Sequence, residues 1–214
     1  MKHGIVCLAS LMLSSIMVLI AAGAMTPMDE VSVSRVTEHC GSWVISFNWS
    51  DMDEYSSSTS HSNAESGGVK TTTDMLTLTA TGNPETYIRI GILKYQFRDK
   101  SKVDQSYLRS LANETIKKAG ACENLSYSPR EIDGKPGAFI SGDQCSGNSV
   151  YFVAVYPIDY YYDKSERAIT SNAIGMITSS YSEEITGRFI TSLKISSTDV
   201  DYASRVTAGR ISSA

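Results

Sequence analysis

The stretch Trp43–Trp49, WVISFNW, places Trp43, Ile45, Phe47 and Trp49 on one side of an extended chain and Val44, Ser46 and Asn48 on the other. Successive side chains of a strand point to opposite faces, so this period of two requires a half-buried β-strand set against a core. Two more strands follow, MLTLTAT from Met75 and TYIRIGILKY from Thr86, separated by the turn Gly82-Asn83-Pro84. Shorter strand patterns fall at about Arg130–Ile132, Ala138–Ser141, Val150–Tyr156 and Ala168–Ser179. The chain is therefore committed to a sheet early and returns to it late.

Two segments change the period. Val103, Tyr107, Leu108, Leu111, Ala112, Ile116 and Ala119 recur at three- and four-residue steps before Gly120, which predicts an amphipathic helix with Asn113 facing solvent. Ser180-Tyr181-Ser182-Glu183 has capping-box spacing and opens a second helix with the stripe Tyr181, Ile185, Phe189 and Leu193. Tyr55–Thr73, YSSSTSHSNAESGGVKTTT, has too little apolar content to bury anything and reads as a dispensable Ser/Thr-rich loop (55–73). The organisation expected is a leader at 1–24, an N-terminal extension at 25–39, one α+β domain at 40–196, and a polar tail at 197–214.

The leader rests on Lys2 and His3 before an apolar run that ends at Ala22-Gly23-Ala24, small residues of the kind a signal peptidase accepts. The alternative is an uncleaved anchor, since the run approaches the length of about 20 residues that spans a bilayer. No later segment is apolar enough to span. Loss of Lys2 with the leader makes the mature chain one charge more negative than the −4 of the whole. With Lys and Arg scattered, nucleic acid is not an expected partner.

Of four Cys, Cys7 lies in the leader; Cys40, Cys122 and Cys145 remain. An exported chain is expected to form disulfides. Cys122 and Cys145 sit at element ends and are the expected pair, with Cys40 free or intermolecular, and with Cys40 as the alternative partner for either. Asn48, Asn113 and Asn124 head N-x-S/T sequons that suit glycosylation in a secretory context.

The run EIDGKPGAFISGDQC, Glu131–Cys145, raises two readings. A phosphate loop passes from strand into helix and closes on Lys-Ser or Lys-Thr; here the flanks are both strands, and Asp133-Gly134 is a hairpin signal. The hairpin is the better fit. His39 beside Cys40 suggests a metal or thiol site, but zinc needs about four ligands, and the chain clusters no others in sequence. His61 lies in the Ser-rich segment, a poor platform for catalysis. No hydrolase motif is visible, no cofactor site is expected, and Asp159, Asp163 and Glu166 lack the pattern of a Ca²⁺ loop. Tyr160, Tyr161 and Tyr162 cannot all face a core, and they could grip a sugar or a protein.

The order of these elements, with GSWVISFNW, TYIRIGILKY, IDGKPGAF, YFVAVYP and EITGRFITSLKI, resembles secreted proteins of methanogenic archaea with the PsbP/Mog1/DcrB-type α/β/α sandwich, over about Gly41 to Ile195. The resemblance implies a mainly antiparallel sheet flanked by two helices and an accessory role outside the cell, and it transfers no catalytic residue. The function expected is an exported, non-enzymatic protein binding an envelope protein or polysaccharide. The alternative is an extracellular enzyme whose carboxylates meet from distant parts of the chain. A pocket with two facing carboxylates would favour the enzyme, and a flat tyrosine-rich patch the binder.

Overall fold

The computed structural model describes residues 34–49, 54–66, 69–96, 101–102, 104–119, 123–143, 151–159, 161–163 and 168–199. The leader at 1–24 and residues 200–214 of the expected tail lie outside them.

The alternating stretch is a strand as expected, and it has a partner that the sequence reading left out. β1 (Ser34–Cys40) pairs with β2 (Trp43–Trp49) around the two-residue turn Gly41-Ser42. The expected extension at 25–39 is therefore part of the fold from Ser34 onward. Its outward side chains are polar, so no apolar period announced it.

The expected loop at 55–73 is corrected more sharply. β3 (Tyr55–Ser66) and β4 (Val69–Ala80) pair without a break from Tyr55 opposite Ala80 to Ser66 opposite Val69. β3 is an edge strand, exposed from Ser56 to Ser66. Main-chain pairing needs no buried side chain, so such a strand carries no hydrophobic signal, while the β-branched Thr71, Thr72 and Thr73 opposite suit extended backbone. β5 (Asn83–Gln96) then lies along β4.

After β6 (Ser101–Lys102), α1 (Gln105–Ala119) starts two residues later than its apolar period because Asp104 caps it: the Asp104 carboxylate accepts from Tyr107 N and Ser106 Oγ, each at 2.8 Å. These bonds hold the Asp104 carboxyl below its ordinary range. Leu108, Ala112 and Ile116 are buried, as their spacing demanded.

β7 (Glu123–Ile132) and β8 (Lys135–Asp143) form the hairpin expected at Asp133-Gly134. Both turn residues have positive φ, +53° and +70°, the type I′ geometry that favours glycine at the second position. Pro136 is tolerated inside β8 because pairing with β9 (Phe152–Pro157) begins only at Ala138. β10 (Tyr161–Asp163) and β11 (Ala168–Ser171) follow, then β12 (Ala173–Ser179). The single strand expected over Ala168–Ser179 is thus two, broken at Asn172.

α2 (Glu183–Ser192) is capped by Ser182, two residues later than the Ser180 expected. Ser180 instead accepts from Tyr87 N at 2.8 Å, tying the helix entry to β5. β13 (Lys194–Ser197) completes the small sheet β1-β2-β13, and a second small sheet has the order β10-β11-β6. The expected boundary at 196 moves outward, since Thr198 N donates to Ser42 O and Lys94 pairs with Asp199 at 3.2 Å.

The main sheet has seven antiparallel strands in the order β3-β4-β5-β12-β9-β8-β7. This agrees with an α+β class dominated by antiparallel strands. On one face Leu76, Leu78, Ile88, Ile90, Ile92 and Ile177 pack with Trp43, Ile45 and Phe47 of β2 and with Phe189, Ile190 and Leu193 of α2. On the other, Ala138, Ile140, Val153, Val155 and Ile174 pack under α1. α2 thus shares its layer with the three-stranded sheet, and α1 packs on the opposite face.

Candidate functional site

Among the described residues, those singled out in the sequence do not come together. Cys122, Cys145, Tyr160 and Glu166 lie outside the described residues. Tyr161 and Tyr162 are placed in β10, opposite Thr170 and Ile169. Asn48 is half-buried in the central strand of the small sheet, opposite Arg35. Asn113, expected in solvent, is half-buried on α1; Asn124 is exposed, with a φ of +53° where the β7–β8 register shifts. His39 and Cys40 fall on opposite faces of β1, the imidazole exposed and the thiol buried and free. No group of three metal-ligating side chains forms among the described residues.

Asp159 has a structural task. It is 2% exposed, and its carboxylate accepts from Ser171 Oγ, from Asn172 N at 2.8 and 2.9 Å, and from Ala173 N at 2.8 Å. Those bonds make the break between β11 and β12.

Two arrangements remain that sequence reasoning missed. The first is centred on Asp74, buried on β4 among apolar neighbours. Trp43 Nε1 donates to its Oδ2 at 3.1 Å, and His61 Nδ1 donates to its Oδ1 at 2.7 Å. The glycine at position 41 is required here: its φ is +59°, and a Cβ would stand 2.7 Å from Asp74 Oδ1. The carboxylate fixes Nδ1 as the protonated nitrogen and leaves Nε2 of the largely exposed His61 ring as the basic one. His61 therefore sits in a paired strand, contrary to the expectation of a loop. The signal was there in His61 standing thirteen residues before Asp74, which is a hairpin register once the Ser-rich segment is read as a strand.

Cys40 adjoins this centre without joining it as a nucleophile. Burial, and after it the Asp74 carboxylate, pushes the thiol up to about 11. Nearby, burial and then the hydrogen bond to Glu38 push the Tyr55 hydroxyl up to about 12. Both folded values exceed the unfolded ones, 9.0 and 10.0, so their stabilisation is whole below pH 9 and is lost as pH climbs toward 12. Thermal melts are expected to show Tm falling from pH 9 upward, with Cys40→Ala removing part of the fall between 9 and 11. A slope unchanged by that substitution would contradict the burial of the thiol.

The second arrangement is a groove of about 440 Å³ at the flank of α1, within the range of small-molecule sites. Its floor is the cross-strand row Met75, Gly91 and Met176 with Leu93 beside it; its wall is Leu111 and Thr115 of α1; Arg89, Glu114 and Lys118 stand at the rim. A further concavity of about 700 Å³ wraps the outer side of α2 and holds Glu183 and Glu184. Adjacent residues of a helix do not face each other, and Glu183 is taken by Arg130 at 3.1 Å, so they form no acid–base pair across a substrate.

Comparison of the chain with family models, with curated proteins and with solved structures gives no match. Among the described residues, no helix is long and apolar enough to cross a membrane.

Proposed function

We propose that the chain is an exported, non-enzymatic binding domain whose partner is a protein or polysaccharide of the cell envelope. The observation that carries this reading is the unequal cover of the main sheet. Its inner face is filled by β2 and α2, whereas α1 packs over β8 and β9 and leaves the β3–β4–β5 half of the other face with a hydroxyl-rich surface. Thr73 and Thr77 stand there in register with Ser62 and Ser58. Support for export comes from the leader pattern at 1–24 and the sequons. Helices on opposite faces of an antiparallel sheet support the likeness to PsbP/Mog1/DcrB-type proteins of methanogenic archaea, from which the three-stranded sheet beside α2 departs.

The His61–Asp74 pair favours a second reading, an extracellular enzyme in which the steadied imidazole moves a proton. One experiment separates the two. The purified protein, in the form to which the cell processes it, is passed over immobilised envelope polysaccharide and envelope protein, with N-terminal sequencing expected to begin after Ala24. Retention is expected for the natural chain and for His61→Ala if it folds, and is expected to fall about tenfold for Thr73→Arg with Thr77→Arg. Retention indifferent to the arginines would sink the binding-face reading.

A further inference from the structure

We propose that the groove beside α1 binds a small amphiphilic anion: an acyl chain ending in a carboxylate. The inference rests on reading the open half of the sheet as a binding face, and it names what that face takes at its inner end. Gly91 lies between Met75 on β4 and Met176 on β12, directly opposite both, so the missing side chain leaves a notch between two thioethers. Leu93 and Leu111 extend the apolar lining along the strand and up the helix. Methionine side chains are flexible and polarisable, which suits a chain of methylenes better than a rigid, hydroxyl-studded sugar.

The polar groups of the groove select the head. Arg89 and Thr178 are opposite each other on β5 and β12, one same-face row from the Gly91 notch. The Thr178 hydroxyl oxygen is buried and has no hydrogen-bond partner among the described residues, a costly state unless a ligand fills it. The Arg89 guanidinium lies over the Tyr87 ring, 4.8 Å from its centroid, and is exposed at the mouth. Lys118 adds a second cation against the single acid Glu114. Among the described residues, neither Arg89 nor Lys118 has a carboxylate within ion-pair distance. An acceptor-only anion meets an unpaired guanidinium and an orphan hydroxyl together; a neutral or cationic head meets neither need. The carboxylate therefore sits at Arg89 and Thr178 with the chain running over Gly91 toward Leu93.

The test is calorimetric titration of the processed protein with decanoate, decanol and decyltrimethylammonium. Decanoate is expected to bind, decanol about tenfold more weakly, and the ammonium amphiphile not at all. Arg89→Gln should weaken decanoate by about tenfold while leaving decanol unchanged, because only the charged head uses the guanidinium. Gly91→Leu should abolish the binding of both by filling the notch. Its Cβ would meet Met176 Cε at an ordinary 3.6 Å, and Leu111→Trp fills the same space from α1 should the strand variant misfold. Absence of decanoate binding, equal affinity for all three heads, or indifference to a folded filled-groove variant overturns the proposal. If decanoate fails while envelope retention still depends on Thr73 and Thr77, this inference alone falls; loss of both removes the binding face as well.

Discussion

Asp159→Ala is expected to destabilise the protein by about 2–4 kcal/mol. The substitution strips both carboxylate acceptors from Asn172 N and leaves Ser171 Oγ and Ala173 N only their remaining bonds, to Ala173 O at 2.7 Å and to Ser171 Oγ at 3.2 Å, in a site where Ser171 and Ala173 are fully buried. Each orphaned buried donor costs about 1–3 kcal/mol, against a total of about 5–15 kcal/mol for a domain. Asp159→Asn keeps one acceptor oxygen and should lie between the two. Urea denaturation followed by tryptophan fluorescence reads the difference, since Trp43 and Trp49 both lie in the core that β12 helps to close. A loss of less than about 1 kcal/mol for the alanine variant would mean that water replaces the carboxylate and that the β11–β12 break is not held by it.

The second large effect is expected from replacing residues 56–73 with a short Gly-Ser link. Composition alone predicts no loss. The structure reverses that expectation, because the exchange removes β3 beyond Tyr55 and residues 69–73 of β4, takes His61 from the Asp74 carboxylate and leaves the rest of β4 as an edge. Leaving Asp74 buried with one partner costs about 1–3 kcal/mol before the lost strand pairing is counted. Tyr55 is retained in this variant, so its contacts with Trp49, 4.5 Å between ring centroids, and with Glu38 are not the cause of any loss. His61→Ala in the full-length hairpin isolates the share that belongs to the buried carboxylate. A melting temperature unchanged in the shortened chain would restore the loop reading.

The difference between sequence and structure follows the burial of side chains. Where a strand or helix presses apolar groups into a core, its period is written in the residues: Trp43 to Trp49, Leu76 and Leu78, Ile88 to Ile92, and the stripes on α1 and α2 were all readable. Asp133-Gly134 was readable for a different reason, since two consecutive positive φ angles narrow the choice of residues. β3 was not readable, because serine on an exposed edge looks the same in a strand as in a loop. The site residues suffered the same blindness. Asp74 is a lone acid in a row of threonines until β3 supplies its histidine and the β1–β2 turn delivers Trp43. The groove depends on Gly91 and Met176 becoming neighbours across some 85 residues of chain, a distance no local pattern spans.

The place of β12 also bears on how the chain reaches this state. β3, β4 and β5 form one antiparallel meander and β7, β8 and β9 another, and β12 alone bonds to both inner edges. Each half can pair locally as it is synthesised. Neither can be sealed until residues 173–179 have emerged. Loop-closure entropy must be met before such long-range pairing is rewarded, which puts this topology among the slow folders. Until then the inner edges of β5 and β9 offer unpaired main chain beside fully buried-to-be Ile90 and Ala154, the surface through which half-made chains of this design would associate with one another. A nascent chain halted before Ala173 is thus two competent hairpin stacks awaiting one strand, and an added peptide of the β12 sequence is the shortest molecule that could join them.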